Sequence, residues 1–219
     1  MKSVRLLIFA VAAFCFVPFA HADGPVNMVF TGVNGANDGV YYVSPYTGTM
    51  NGQTVVLFCD DIKNDVHIGQ KWTANVTNLG TALSSVNGFS NTRYGGVSGS
   101  PVFSTASIAY QEAAWLTTQF ASHPNDFVSL QYALWDIMNP GAEPTSYGNV
   151  ASWLKQAAAN YSSINASDFS IVTNTGKLSL TGQVQEFVVH TPEPGSLALL
   201  VCGLLAFAAF TIVRSRVTA

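Results

Sequence analysis

Charged residues are scarce in this chain of 219 residues: they make up 10% of it, against about 25% in an average soluble domain. Hydrophobic residues make up 48% and form apolar segments at both ends, residues 1–22 and 192–219. Between these segments, residues 23–191 carry five basic and eleven acidic groups, a formal charge of −6. Nucleic acids and anionic bilayers are bound by clustered Lys and Arg, which this composition lacks. We therefore expect no nucleic-acid partner.

Cysteine is also scarce, with Cys15, Cys59 and Cys202 as the complete set. The first and last of these lie in the terminal apolar segments, so only Cys59 remains between them. A disulfide framework is therefore excluded, and the stability of the 23–190 region must come from a packed core, for which its length suits one domain.

The sequence lacks the motifs of common hydrolases and metal sites. No Gly-x-Ser-x-Gly elbow is present. Asp60, Asp61, Asp65 and His67 lie close together, but without the regular ligand positions and glycine of a calcium-binding loop, and we interpret them as a solvated turn. We expect no metal, no cofactor and no turnover enzyme.

The N-terminal segment has the three parts of a secretory signal peptide. Lys2 and Arg5 precede an apolar run from Leu6 to Val17, and the small-residue pattern Ala20-His21-Ala22 follows. The apolar run is too short to span a bilayer. We predict a signal peptide over residues 1–22 that is cleaved before Asp23.

The C-terminal segment is typical of a membrane anchor. Leu197 to Val213 contains no charge and is apolar on every face, near the minimum length of a transmembrane helix. Arg214 and Arg216 follow directly, and basic residues tend to stay on the cytoplasmic side. The prediction is a transmembrane helix over 197–213, with residues 23–191 on the far side of the inner membrane.

Just before this helix lies the motif Pro192-Glu193-Pro194. Its combination with a short apolar helix and basic Arg214 and Arg216 resembles the PEP-CTERM sorting signal of exported bacterial proteins, here over residues 191–219. The resemblance implies recognition and cleavage by an exosortase-type enzyme in bacteria that make exopolysaccharide. It also implies a location first in the inner membrane, facing the periplasm, and then at the cell surface or in the extracellular matrix.

Residues 23–190 are predicted to form an α+β domain, a β-rich sandwich or barrel with a helical insert at about 104–161. Strand patterns and tight-turn dipeptides alternate over residues 26–80. The predicted strands are Thr54–Cys59, Lys71–Val76, Phe169–Thr173, Leu178–Leu180 and Val184–Val189. Tight turns are predicted at Asn34-Gly35, Asp38-Gly39 and Asn51-Gly52, and a Ser/Gly/Asn-rich loop at 84–101. Helices are predicted to start near Ser104, Asp126 and Ser146.

Two side chains in this domain need an explanation. A lone thiol at Cys59 is open to damage in an oxidising compartment. Gln131 lies on the apolar stripe of the second predicted helix, and burying an unpaired amide costs about 1–3 kcal/mol. Both features are explained if the Cys59 thiolate attacks the Gln131 carboxamide, expels ammonia and forms an internal thioester.

The flanking residues resemble those of the thioester domains of bacterial surface adhesins. Phe58 and Asp61 match the aromatic-Cys-x-acidic element around Cys59. Ala133 and Trp135 match the element that follows Gln131, although Leu130 replaces its threonine. The resemblance implies covalent capture, in which a lysine amine of the target attacks the Gln131 acyl group, releases the Cys59 thiol and forms an isopeptide link.

Two functions therefore remain open from the sequence. In the first, the protein is a surface or biofilm-matrix adhesin that attaches covalently to a surface amine. In the second, it is a structural or exopolysaccharide-associated matrix protein in which Cys59 and Gln131 are ordinary core residues.

Overall fold

The computed structural model describes residues 25–142 and 146–190, together with Gly203. The two ranges belong to one compact unit. The predicted signal peptide, the Pro192-Glu193-Pro194 motif and the predicted transmembrane helix lie outside the described residues, apart from Gly203. Among the helices that the structure describes, none combines the length and apolar character needed to cross a membrane.

Six strands close into a barrel. They are β1 (Val26–Val33), β2 (Tyr46–Met50), β3 (Gln53–Cys59), β4 (Lys71–Asn78), β5 (Phe169–Asn174) and β6 (Phe187–His190). Their order around the barrel is β1-β2-β3-β6-β5-β4, and all neighbours are antiparallel. The two late strands thus fit between β3 and β4 and leave no open sheet edge. The predicted α+β class is confirmed, with a barrel as its β architecture.

The β2–β3 hairpin turns at Asn51-Gly52, as the sequence predicts. The φ angles of these residues are 50° and 83°, the left-handed conformation that both central residues of such a two-residue turn require. The tight turn sets the register in which Tyr46 pairs with Leu57. It thereby fixes the position of the end of β3, where Cys59 lies.

The helices lie between β4 and β5 in the chain. They are α1 (Leu79–Leu83), α2 (Arg93–Gly96), α3 (Ala106–Thr117), α4 (Phe127–Met138) and α5 (Val150–Asn160). Helix α4 begins directly after Asp126 and ends before Asn139, where Pro140 and Gly141 prevent its continuation. Apolar side chains of α3, α4 and α5 belong to the same hydrophobic core as the barrel strands.

Three local predictions are wrong. Asn34-Gly35 forms no tight positive-φ turn, because neither residue has a positive φ. Leu178–Leu180 forms no strand, because the side-chain amide of Asn64, instead of a neighbouring strand, donates to the Leu180 carbonyl, at 3.0 Å. The segment 84–101 is not a simple solvated loop, since it contains α2 and buries Arg93 completely. Thr92 makes this possible by capping α2, its hydroxyl accepting from the Gly95 amide at 3.2 Å.

The pairing of β3 with β6 determines where Cys59 points. Cys59 lies opposite Phe187, and directly opposed residues of antiparallel strands project to the same face. The Phe187 ring packs with Phe30 and Tyr46 inside the barrel. Cys59 therefore faces the barrel interior, whereas its neighbour Phe58 faces outward and contacts Phe120, with ring centroids 5.1 Å apart.

Candidate functional site

The candidate site lies where the end of β3 meets helix α4. Gln131 and Trp135 are four residues apart on α4, so both side chains leave the same helix face. The structure brings both of them to Cys59. This is the set of residues that the sequence predicts to form the thioester site.

The Gln131 carboxamide is fully buried and hydrogen-bonded at both ends. Its nitrogen Nε2 donates to the backbone carbonyl of Cys59 at 2.6 Å. Its oxygen Oε1 accepts from the backbone N–H of Ser44 at 3.0 Å. The amide plane is therefore fixed beside the Cys59 backbone, and its carbonyl is polarised by a backbone donor.

Ser44 connects the two partners a second time. Its hydroxyl oxygen accepts from the Cys59 amide at 2.9 Å, and Ser44 itself is fully buried. Ser44, Cys59 and Gln131 thus form a closed ring of three hydrogen bonds. Ser44 could not be predicted from the sequence, because a single serine before a proline does not indicate a contact 87 residues away.

The sulfur of Cys59 is a buried free thiol with hydrogen-bond donors around it. The indole Nε1–H of Trp135 and the backbone N–H of Asp61 each point to it, at 3.4 Å. Burial raises the pKa of the Cys59 thiol well above its ordinary value, and the negative charge of Asp61 adds to this effect. The two donors act in the opposite direction, since they favour negative charge on sulfur.

The acids next to Cys59 are buried, so the interpretation of Asp60 and Asp61 as part of a solvated turn is wrong. Asp61 forms an ion pair with Arg93 and accepts further hydrogen bonds from Asn64 and from the Tyr94 hydroxyl. Asp65 and His67 of the same segment are exposed. The segment after β3 is covered by contacts from distant elements: Arg93 and Tyr94 of α2 bind Asp61, and the Asp60 amide donates to the Glu186 carbonyl next to β6.

A second buried carboxylate, Glu186, extends this cluster. It accepts from the Tyr110 hydroxyl at 2.6 Å, from the Arg93 amide at 2.7 Å and from the Thr173 hydroxyl. Burial raises the pKa of Glu186, and the charge of Arg93 partly offsets this rise. The sequence held one signal for the cluster: Arg93 is the one arginine between residues 23 and 191, and arginine suits buried ion pairs.

Asp60 differs from both of these acids. It is completely buried, and in the described structure neither carboxyl oxygen has a hydrogen-bond partner. Burial raises its pKa well above the ordinary value, and the nearby charges of Glu186 and Asp61 raise it further. Burial and these neighbouring charges therefore favour the neutral carboxylic acid form of Asp60.

The other predicted site residues divide into two groups. Ala133 is buried on α4, and Phe58 packs against Phe120 on the outer face of β3. The sorting residues Pro192, Glu193, Pro194, Arg214 and Arg216 lie outside the described residues. Within the described part of the chain, no group of three or more His, Cys, Asp or Glu side chains is arranged to hold a metal ion.

Chemically, the site combines a nucleophile with an acyl group. The Gln131 amide lies against the backbone of the residue that carries the thiol, and its oxygen accepts a backbone N–H. Ser44, Cys59 and Gln131 have no solvent exposure. These are the elements of acyl transfer: a nucleophile, a polarised carbonyl and donors for the developing charges. Comparison of the chain with models of known protein families, with curated proteins and with solved structures found no match.

Proposed function

We propose that the protein is exported to the cell surface or biofilm matrix and attaches covalently to amines through an internal thioester between Cys59 and Gln131. The observation that carries this proposal is the 2.6 Å hydrogen bond from Gln131 Nε2 to the Cys59 carbonyl, between two fully buried residues. It puts the acyl group of one residue directly against the residue that holds the nucleophile.

Formation of the thioester replaces the C–N bond of the Gln131 amide by a C–S bond to Cys59. The Cys59 sulfur attacks Cδ of Gln131, and the carbonyl oxygen takes the negative charge while it accepts the Ser44 N–H. The C–N bond then breaks, the thiol proton goes to the departing nitrogen, and ammonia leaves. The donors from Trp135 and Asp61 stabilise negative charge on sulfur during attack, which compensates in part for its burial.

Capture of a target breaks the thioester and restores the Cys59 thiol. A primary amine attacks Cδ, a C–N bond forms, the C–S bond breaks, and one proton of the amine returns to the Cys59 sulfur. The product is an isopeptide link between the target and the Gln131 side chain. Each molecule reacts once, so the protein acts as a single-turnover attachment module and not as an enzyme.

Intact mass tests the thioester directly. The purified protein, with its termini determined by peptide mapping, is expected to be lighter than calculated by one ammonia, about 17 Da. Cys59→Ala and Gln131→Ala are expected to lack the deficit, while Gln156→Ala, which changes an exposed glutamine, is expected to keep it. Full mass together with an alkylatable Cys59 in the folded protein would remove the thioester proposal.

Export is supported by the signal-peptide pattern of residues 1–22 and the motif at residues 192–194. In the native host, we expect the mature N-terminus at Asp23 and release of the 23–191 region from the inner membrane. Replacement of Pro192 and Pro194 by alanine is expected to retain the chain in the membrane fraction. Cytoplasmic full-length protein would contradict export.

A second candidate is a non-covalent matrix protein of the same fold. Two observations favour it: the Gln131 amide satisfies its hydrogen bonds without a covalent link, and burial opposes ionisation of the Cys59 thiol. Cys59 and Gln131 would then contribute only packing and hydrogen bonds to the core. The mass measurement separates the two candidates, because only the first loses ammonia.

A further inference from the structure

A groove opens beside the candidate thioester, at the end of the barrel. Its cavity of about 190 Å³ is lined mainly by aromatic and aliphatic side chains, among them Tyr41, Tyr42, Tyr46, Ile62 and Trp135. Trp135 connects the groove to the site, because the same indole donates to the Cys59 sulfur. Cys59 and Gln131 themselves are fully buried, so Trp135 is the side chain through which the groove borders the reacting residues.

The segment 38–42 forms one wall of this groove. The Tyr41 ring meets the Trp135 indole edge to face, with centroids 5.3 Å apart. Asp38 holds the segment in place by accepting from the backbone amides of Val40 and Tyr41 and from the Tyr132 hydroxyl of α4. The wall is thus built against the helix that carries Gln131.

The outer part of this wall exposes apolar surface. Val40 is 75% and Tyr42 60% exposed. Exposed aromatic rings beside a groove are typical of surfaces that bind another polypeptide. This favours a polypeptide over a free small amine as the occupant.

The groove contains one charged lining residue among those described, Asp65. Asp65 is exposed, and in the described part of the chain it forms no ion pair. Its carboxylate is therefore available to a cation at the mouth of the groove. The −6 formal charge of residues 23–191 adds long-range attraction for a basic partner.

We propose that the groove discriminates among lysine targets: Asp65 binds a second cationic group of the polypeptide, so that lysines within a basic segment are selected, while the reacting amine passes the aromatic wall to the Cys59–Gln131 bond. This inference rests on the proposed thioester. Aromatic faces attract cations and accommodate the aliphatic stem of lysine. The Asp65 carboxylate adds an ion pair if the residue next to the lysine in the target is basic, and adds none if that residue is neutral.

The test compares two capped peptides, Ala-Lys-Arg-Ala and Ala-Lys-Gln-Ala, which carry the same reacting amine and differ in the neighbouring charge. Conjugation to the full-length protein is followed by intact mass. We expect the arginine peptide to react about fivefold faster at low salt, and the ratio to fall towards one in high salt. Asp65→Asn is expected to remove the preference, while Glu112→Gln, which removes an equal charge outside the groove, is expected to keep it.

Hydroxylamine provides the control for thioester reactivity, because it is small and neutral. If the protein shows the ammonia deficit and is cleaved by hydroxylamine, but reacts with the two peptides at equal rates, this inference is overturned and the thioester is not. The absence of both the deficit and the cleavage would overturn the proposed function and this inference with it. Faster reaction of 1,5-diaminopentane than of either peptide would overturn the assignment of a polypeptide partner. The salt dependence is measured on the unsubstituted protein, so the test does not depend on the folding of any variant.

Discussion

Arg93 and Asp61 form an ion pair in which neither side chain has any solvent exposure. Asp61 follows Cys59 by two residues in the chain. The guanidinium also donates through Nη2 to Asn174, at 2.8 Å, and to the Val184 carbonyl, at 2.6 Å. It thereby joins α2 to β5 and to the segment that leads into β6. This single cation compensates the charge of the carboxylates packed behind the thiol.

Replacement of Arg93 is therefore expected to be severely destabilising. Arg93→Met removes the cation and leaves Asp61 and Glu186 buried without it, at a cost of about 3–5 kcal/mol in the free energy of unfolding. Urea denaturation measures this loss. Lys155→Met, which changes an exposed lysine, is the control and is expected to stay within about 0.5 kcal/mol of the unsubstituted protein. Similar stability of the two variants would show that the pair contributes little.

The buried acids predict an unusual dependence of stability on pH. Unfolding returns Asp60 to its ordinary pKa of 3.8, whereas burial and the charge of Glu186 raise its pKa in the folded protein. Above pH 3.8 the folded state therefore binds more protons than the unfolded state. The free energy of unfolding then decreases as pH rises, by at most about 1.4 kcal/mol per pH unit for this group. Asp61 and Glu186 have raised pKa values and act in the same direction.

Urea midpoints between pH 5 and pH 8 test this expectation. The midpoint should fall with pH in the unsubstituted protein and fall less in Asp60→Asn, which keeps the shape of the neutral acid and cannot ionise. Asp60→Asn should also be the more stable of the two at pH 8. A midpoint that rises over this range would contradict the assignment of Asp60 as a neutral acid.

The indole N–H of Trp135 is expected to accelerate thioester formation. Trp135→Phe keeps an aromatic ring in the core but removes the donor to the Cys59 sulfur, so the bond should form about fivefold to tenfold more slowly. Ammonia treatment restores the Gln131 amide, and the return of the mass deficit after ammonium removal gives the rate. Trp153→Phe is the matched control, because Trp153 is buried and its Nε1 has no hydrogen-bond partner in the described structure. Equal rates in the two variants would exclude this role for the indole.

Gly35 is expected to be required for the position of Ser44. A Cβ atom at Gly35 would lie 1.9 Å from the Val43 carbonyl oxygen and 2.7 Å from that of Ser44. Gly35→Ala must therefore displace the backbone that donates to Gln131, with a loss of about 1–3 kcal/mol in stability and slower recovery of the mass deficit. Gly99→Ala places its Cβ in open space and serves as the control. Unchanged thioester formation in Gly35→Ala would show that Ser44 is not needed.

Local sequence patterns predicted the elements that carry the site. The Asn51-Gly52 turn, strand β3 and helix α4 follow from positive-φ preferences, β-branched composition and helical spacing, all of which depend on near neighbours in the chain. The same patterns were wrong at Leu178–Leu180, where a side-chain amide from a distant segment takes the carbonyl that a strand would have used.

The sequence by itself determined the scarcity of charge, the lone thiol of the 23–190 region, the export pattern and the hypothesis that Cys59 and Gln131 meet. Only the tertiary structure decided that Ser44 joins the site, that Asp60 and Asp61 are buried, and that Arg93 compensates them. The physical reason is that burial and charge pairing depend on which distant segments the closed barrel brings together. Composition and local period marked Cys59 and Gln131 as residues in need of a partner, but they do not show which buried polar groups pair with partners 32 to 125 residues away along the chain.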